Sequence, residues 1–188
     1  MALTDIELCS KALIRLGAKP ITSFTEGSAE AEIAGALYET CKFALLSSYP
    51  WSFATKQSNL TESSEEPIDG YSHAFDLPAD FLRSISIGNA HEKASKFYMV
   101  NGLLNSNQSE VLLTYIYTQS EDNFPPFFDA ALILKLAAEF SIPVTESTSR
   151  TETLYKLADQ EIAKVRLIDA QQDTPNRLRH FNLIDVRG

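Results

Sequence analysis

Apolar positions recur every three to four residues near both ends of this sequence and every two in its middle, a pattern that predicts helices flanking a β region. Thr4-Asp5-Ile6-Glu7 is a capping box, in which Thr4 accepts from the Glu7 amide and Glu7 reaches back. A helix therefore starts there, runs over about 5–16 with Ile6, Cys9, Leu13 and Leu16 on one face, and stops at Gly17 and Pro20. After Ser28 a second helix is expected, with Ala29, Ile33, Ala36, Leu37, Cys41, Ala44 and Leu45 as its apolar stripe. Glu30, Glu32, Glu39 and Lys42 fall off that stripe, and Pro50 ends the helix near Ser47.

Tyr49-Pro50-Trp51-Ser52-Phe53-Ala54 concentrates three aromatics, and Trp51 and Phe53 are expected to anchor the two helices to the next stretch of chain. The segment 61–80 carries Glu62, Glu65, Glu66, Asp69, Asp76 and Asp80 with no Lys or Arg, and reads as an exposed loop. Ser84-Ile85-Ser86-Ile87 alternates as a strand does. Phe97-Tyr98-Met99-Val100 is β-rich, Asn101-Gly102 signals a tight turn, and 110–118 reads as the longest strand, covered on both faces. Phe127 to Ile142 is apolar nearly all round, with Asp129, Lys135 and Glu139 as its only charges, and predicts a central helix ended by Pro143. Thr148 or Ser149 caps a last amphipathic helix, marked by Leu154, Leu157, Ala158, Ile162, Val165 and Ile168 and reaching about Gln171.

The fold class expected is mainly α with a small β insertion, an α+β arrangement: N- and C-terminal helices form a bundle and the middle an antiparallel β region. Residues 1–172 form one domain with the insertion at about 52–118, and 173–188 an extended tail. That tail leans basic through Arg177, Arg179 and Arg187 against Asp173 and Asp185.

The 188 residues carry a net charge of −9, a balance that opposes gripping a phosphate backbone and excludes a sequence-reading nucleic-acid binder. No apolar run reaches the roughly 20 residues of a membrane span, and the N-terminus lacks a signal-peptide pattern, so synthesis in the cytosol and no membrane partner are expected. Cys9 and Cys41 read as reduced core thiols. His73, His91 and His180 are scattered with no second ligand at metal spacing, the glycines form no phosphate loop, and no nucleophile elbow occurs. No catalytic, cofactor-binding or metal-binding residue is assigned. Carboxylate pairs within 62–80, such as Glu65 with Glu66, leave a cell-wall glycan hydrolase as the alternative. That chemistry needs one desolvated carboxyl group, whereas these read as a solvated surface.

Several words along the chain resemble one family. They are Ala2-Leu3-Thr4-Asp5-Ile6-Glu7-Leu8-Cys9-Ser10-Lys11-Ala12-Leu13 with Leu16-Gly17, Ala29-Glu30-Ala31, Tyr49-Pro50-Trp51-Ser52-Phe53-Ala54, Tyr71 through Leu77-Pro78-Ala79-Asp80 to Arg83, and the apolar helix after Phe124-Pro125-Pro126-Phe127. In this order they resemble the head-completion and tail tubular A proteins of short-tailed bacteriophages. The resemblance implies a structural virion protein without cofactor or reaction, at the head–tail junction, in a ring of about twelve copies. It further implies docking to the portal protein after DNA packaging and a surface for the tail tube or nozzle protein, while double-stranded DNA passes through without specific binding. The free chain is expected to be monomeric. Within the tail, Arg177, Arg179, His180, Phe181 and Arg187 are the candidate partner-binding residues, the arginines suited to bidentate pairing with carboxylates of the portal. A cytosolic interaction module unrelated to phage is the third reading.

Overall fold

A computed structural model of the chain describes residues 2–88 and 96–172. Four helices, α1 (Asp5–Arg15), α2 (Ala29–Ser47), α3 (Pro126–Thr145) and α4 (Thr148–Ala170), flank six strands. The strands are β1 (Thr55–Asn59), β2 (His73–Asp76), β3 (Phe81–Ile87), β4 (Phe97–Val100), β5 (Leu103–Ser106) and β6 (Leu112–Tyr117). This is the α+β class the periodicity predicts.

The capping box forms as expected: the Glu7 N–H donates to Thr4 Oγ1 at 3.2 Å and the Thr4 N–H to Glu7 Oε2 at 2.8 Å. Gly17 leaves α1 with φ +75°, a backbone that side chains disfavour. In α2 the predicted stripe holds in part: Cys41 and Leu45 are buried and Ile33 and Leu37 pack against the core, but the buried face is turned away from the alanines of the stripe. Ala31, Ala34, Tyr38, Cys41, Lys42, Leu45 and Leu46 are buried, while Ala29, Ala36 and Ala44 are exposed. The displacement has a simple cause: an alanine gains little from burial, and a tyrosine with a hydrogen-bonded hydroxyl gains more.

α3 packs against α1, α2 and α4, and its apolar circumference follows from those neighbours. It runs through Pro143 instead of stopping there. A proline in the last turn forfeits only one backbone bond. The stop is made by Glu146, left-handed at φ 53°, whose N–H returns to the Ile142 carbonyl at 3.0 Å. The cap of α4 is Ser147, one residue ahead of the expected Thr148 or Ser149, its hydroxyl accepting from the Arg150 N–H.

Trp51 is fully buried between the layers. Its ring centroid lies 5.0 Å from Tyr49 and 5.3 Å from Phe128, and its Nε1–H donates to the Leu45 carbonyl at 3.0 Å. Phe53 adds edge contacts to Phe124, Phe127 and Phe128. The motif after α2 is thus the joint between helices and strands.

The strands form two antiparallel sheets, ordered β1-β6-β3 and β2-β5-β4. Asn101 and Gly102, at φ 52° and 77°, make the two-residue turn between β4 and β5. The longest strand is β3, with seven residues, not β6, with six, although β6 is central, with Leu113, Tyr115 and Ile116 buried and Leu112 and Thr114 half-buried. The acidic segment is also less uniform than expected: Glu62 bridges to Phe75, and β2 buries Ala74 and Phe75. Between the sheets lies a second core of Phe75, Ile87, Leu104, Val111, Leu113 and Tyr115.

Candidate interaction surface

Three polar ties fix how the layers meet, and they decide which charges remain for a partner. In the first, Lys42 is 6% exposed, and its Nζ donates to Glu39 at 2.8 Å and to Glu121 at 2.9 Å. The Tyr38 hydroxyl donates to the same Glu121 oxygen at 2.8 Å. Burial raises the Glu121 carboxyl, but the bonds from Lys42 and Tyr38 outweigh it and hold the group below its ordinary value. Burial first, then Glu121, pushes the Tyr38 phenol up, so it remains a donor.

The second tie explains the Leu77-Pro78-Ala79-Asp80 word. Lys56 of β1 ion-pairs with Asp80, and the Tyr115 hydroxyl donates to the other Asp80 oxygen at 3.0 Å. The ammonium also lies 4.6 Å from the Tyr117 ring centroid. Burial raises the Asp80 carboxyl, yet Lys56 and Tyr115 leave it net lowered. In the third tie, Asp169 of α4 accepts the Ser52 N–H at 2.9 Å and the Ser52 hydroxyl at 2.7 Å.

With Lys42, Lys56, Lys135 and Lys164 committed to carboxylates, Glu65, Glu66 and Asp69 are exposed and form no ion pair among the described residues. Glu62 meets His73 Nδ1 at 2.7 Å, and His73 is half-buried. The acidic segment thus presents a one-sided negative surface beside β2.

The hydrolase alternative needs a carboxyl group raised by desolvation. Among the described residues the one carboxyl pushed upward is Asp129, to about 6, and the cause is burial, offset in part by Lys11. It lies in the first turn of α3, apart from the acidic segment, with one oxygen lacking a hydrogen-bond partner. Asp80, the most enclosed acid of the segment, is moved the opposite way.

Both thiols are buried, and burial raises Cys9 to about 12 and Cys41 to about 11, as unreactive core cysteines require. No group of three His, Cys, Asp or Glu suited to a metal occurs among the described residues, and none of their helices is long and apolar enough to cross a membrane. The predicted partner residues Arg177, Arg179, His180, Phe181 and Arg187 lie outside the described residues, as does His91. Lys42, Asp129 and Asp169 were not singled out from sequence as sites; of the three only Asp129 carries a local signal, a charge inside a helix apolar nearly all round. No family model matches the chain, and a search of curated proteins finds no match.

Proposed function

We propose that this chain is a structural subunit of a head-to-tail connector in a short-tailed phage. It binds the portal protein, helps seal the filled head, and offers a seat for the tail tube or nozzle protein. The observation that carries this reading is the ordered series of family-like words, of which Pro50-Trp51-Ser52-Phe53-Ala54 and Leu77-Pro78-Ala79-Asp80 are the most specific. Their positions support it: the first is the buried joint between layers and the second ties β1 to β6, so both words specify the shape of the subunit.

Electrostatics support the same role. A conduit for double-stranded DNA must not hold phosphates, and a chain of net charge −9, with Lys42, Lys56, Lys135 and Lys164 each engaged by a carboxylate, repels them. About twelve such subunits assemble on the portal, and the free chain is monomeric, since like-charged copies repel until the portal sets them side by side. The assembled protein resides in the virion. Electron microscopy of the purified chain mixed with its portal tests the proposal: a ring at the tail-side end is expected, and portals without added density overturn it.

A further inference from the structure

Unpaired positive and negative charges are sorted to different parts of this subunit. Lys11 and Arg15 stand one turn apart on the exposed side of α1, with Ile14 between them at 57% exposed. Past the left-handed Gly17 comes Lys19, also exposed. Arg150 of α4 closes the group, its Nη2 donating to the Arg15 carbonyl at 3.2 Å. None of these four cations forms an ion pair among the described residues. Lys11 lies near Glu7 and Asp129 without bonding either, and Glu146 and Glu152, on either side of the start of α4, leave Arg150 unpaired. The result is an apolar centre with a charged rim, the anatomy of an interface.

Acids without partners lie elsewhere, in the turn before β2. Glu65, Glu66 and Asp69 are exposed there, around half-buried Pro67, Ile68 and Tyr71. Hydrogen bonds hold this turn in shape: the Ile68 N–H donates to Asn105 Oδ1 at 3.1 Å, the Ser72 N–H to Asn107 Oδ1 at 3.0 Å, and the Tyr71 N–H to the Ile68 carbonyl at 3.1 Å. Asn105 is 1% exposed, so the anchor is a buried one. α1 packs chiefly on α3 and α2, whereas β2 and β5 pack chiefly within their own sheet, so the two patches belong to different layers. They do not neutralise each other within one chain. Four cations about an isoleucine and three carboxylates about another are complementary in sign and in make-up.

We propose that the exposed side of α1, through Ile14 with Lys11, Arg15, Lys19 and Arg150, receives the Glu65–Asp69 turn of a second copy. Such a contact is heterologous, one patch of each copy meeting a different patch of the next, so every copy can hold a neighbour on either side. This deepens the connector reading and rests on it for the ring in which the contacts close. Two chains of net charge −9 otherwise repel, and the contact is weak in the free protein.

The test is zero-length carbodiimide coupling, which joins an amine to a carboxylate where the two touch, on an equal mixture of unlabelled and isotope-labelled full chain at millimolar concentration. Peptides linking Lys11 or Lys19 of one isotope to Glu65, Glu66 or Asp69 of the other are expected, and high salt should remove them. Links confined to single chains, or links between chains at other carboxylates alone, overturn the inference. Ile14→Asp, at an exposed position, is expected to cut the interchain links at least about fivefold while the Lys135–Glu139 link inside α3 persists as a control on the fold. Undiminished interchain links in that variant contradict docking through Ile14. A chain that couples as described but forms no ring on its portal leaves this contact standing and removes the connector reading. A ring on the portal without these links does the reverse.

Discussion

The helical layer and the sheets are held in unlike ways. Around α3 the core fully buries Trp51, Phe128, Phe140, Leu8, Leu13, Leu46 and Leu132, and rings stack edge to face through it. Among the described residues the two sheets share a buried cluster of Phe75, Ile87, Leu104, Val111, Leu113 and Tyr115, with partly buried Leu60, Leu77, Phe81, Phe97 and Tyr117 packed on it, and add hydrogen-bonded ties such as Lys56–Asp80–Tyr115. Small three-stranded sheets with so little apolar cover are marginal alone, so the β region depends on its joint to the helices. Stability is accordingly expected to be graded, with the helices opening last and the sheets opening first.

The largest blow to that gradient is Trp51→Ala, since the ring sits in the helical core at the point where that core also takes in Ile116 of β6. A loss of about 3–5 kcal/mol is expected in denaturant unfolding, with helices and sheets melting together. A change below about 1 kcal/mol would separate the layers energetically. Next comes Leu104→Ala, at about 2–4 kcal/mol, whose effect on hydrogen exchange should concentrate in β2, β4 and β5 and spare α3. Equal acceleration in α3 would mean one cooperative unit.

A smaller change runs in the stabilising direction. The Asp129 carboxyl titrates near 6 in the folded chain, above its ordinary 3.8, so the native state holds the proton more tightly than the unfolded one. Its penalty is absent below pH 3.8, grows between there and pH 6, and is complete at neutrality. Asp129→Asn is therefore expected to gain about 1–2 kcal/mol at neutral pH and nothing in acid; an equal gain at both removes the carboxylate as the cause. Smallest of all is Glu65→Gln with Glu66→Gln on the exposed acidic segment, worth less than about 0.5 kcal/mol. The parent chain should release no dye from labelled peptidoglycan; release abolished by this pair would convert the acidic surface into an active site.

Much of the helical layer was legible because its signals are local: the Thr4–Glu7 box needs only four residues, and the Asn101-Gly102 turn only two. What failed was tertiary. The exposed alanines of α2 form as regular a stripe as a buried face does, and only contact with Glu121, 79 residues on, reveals Lys42 as interior. Pro143 reads as a stop until the cap at Glu146 is visible. Strand β2 hides among acids because its partner, β5, comes only after β3 and β4 in the sequence. Of the candidate site, the acidic surface was readable from one-sided composition. Asp169 was not, since its burial depends on Ser52, 117 residues earlier.

The connector role is tested most directly by disabling the gene for this chain in the phage that carries it and imaging the particles. Heads that lose their DNA and lack tails are the predicted outcome. Filled heads bearing complete tails would contradict it.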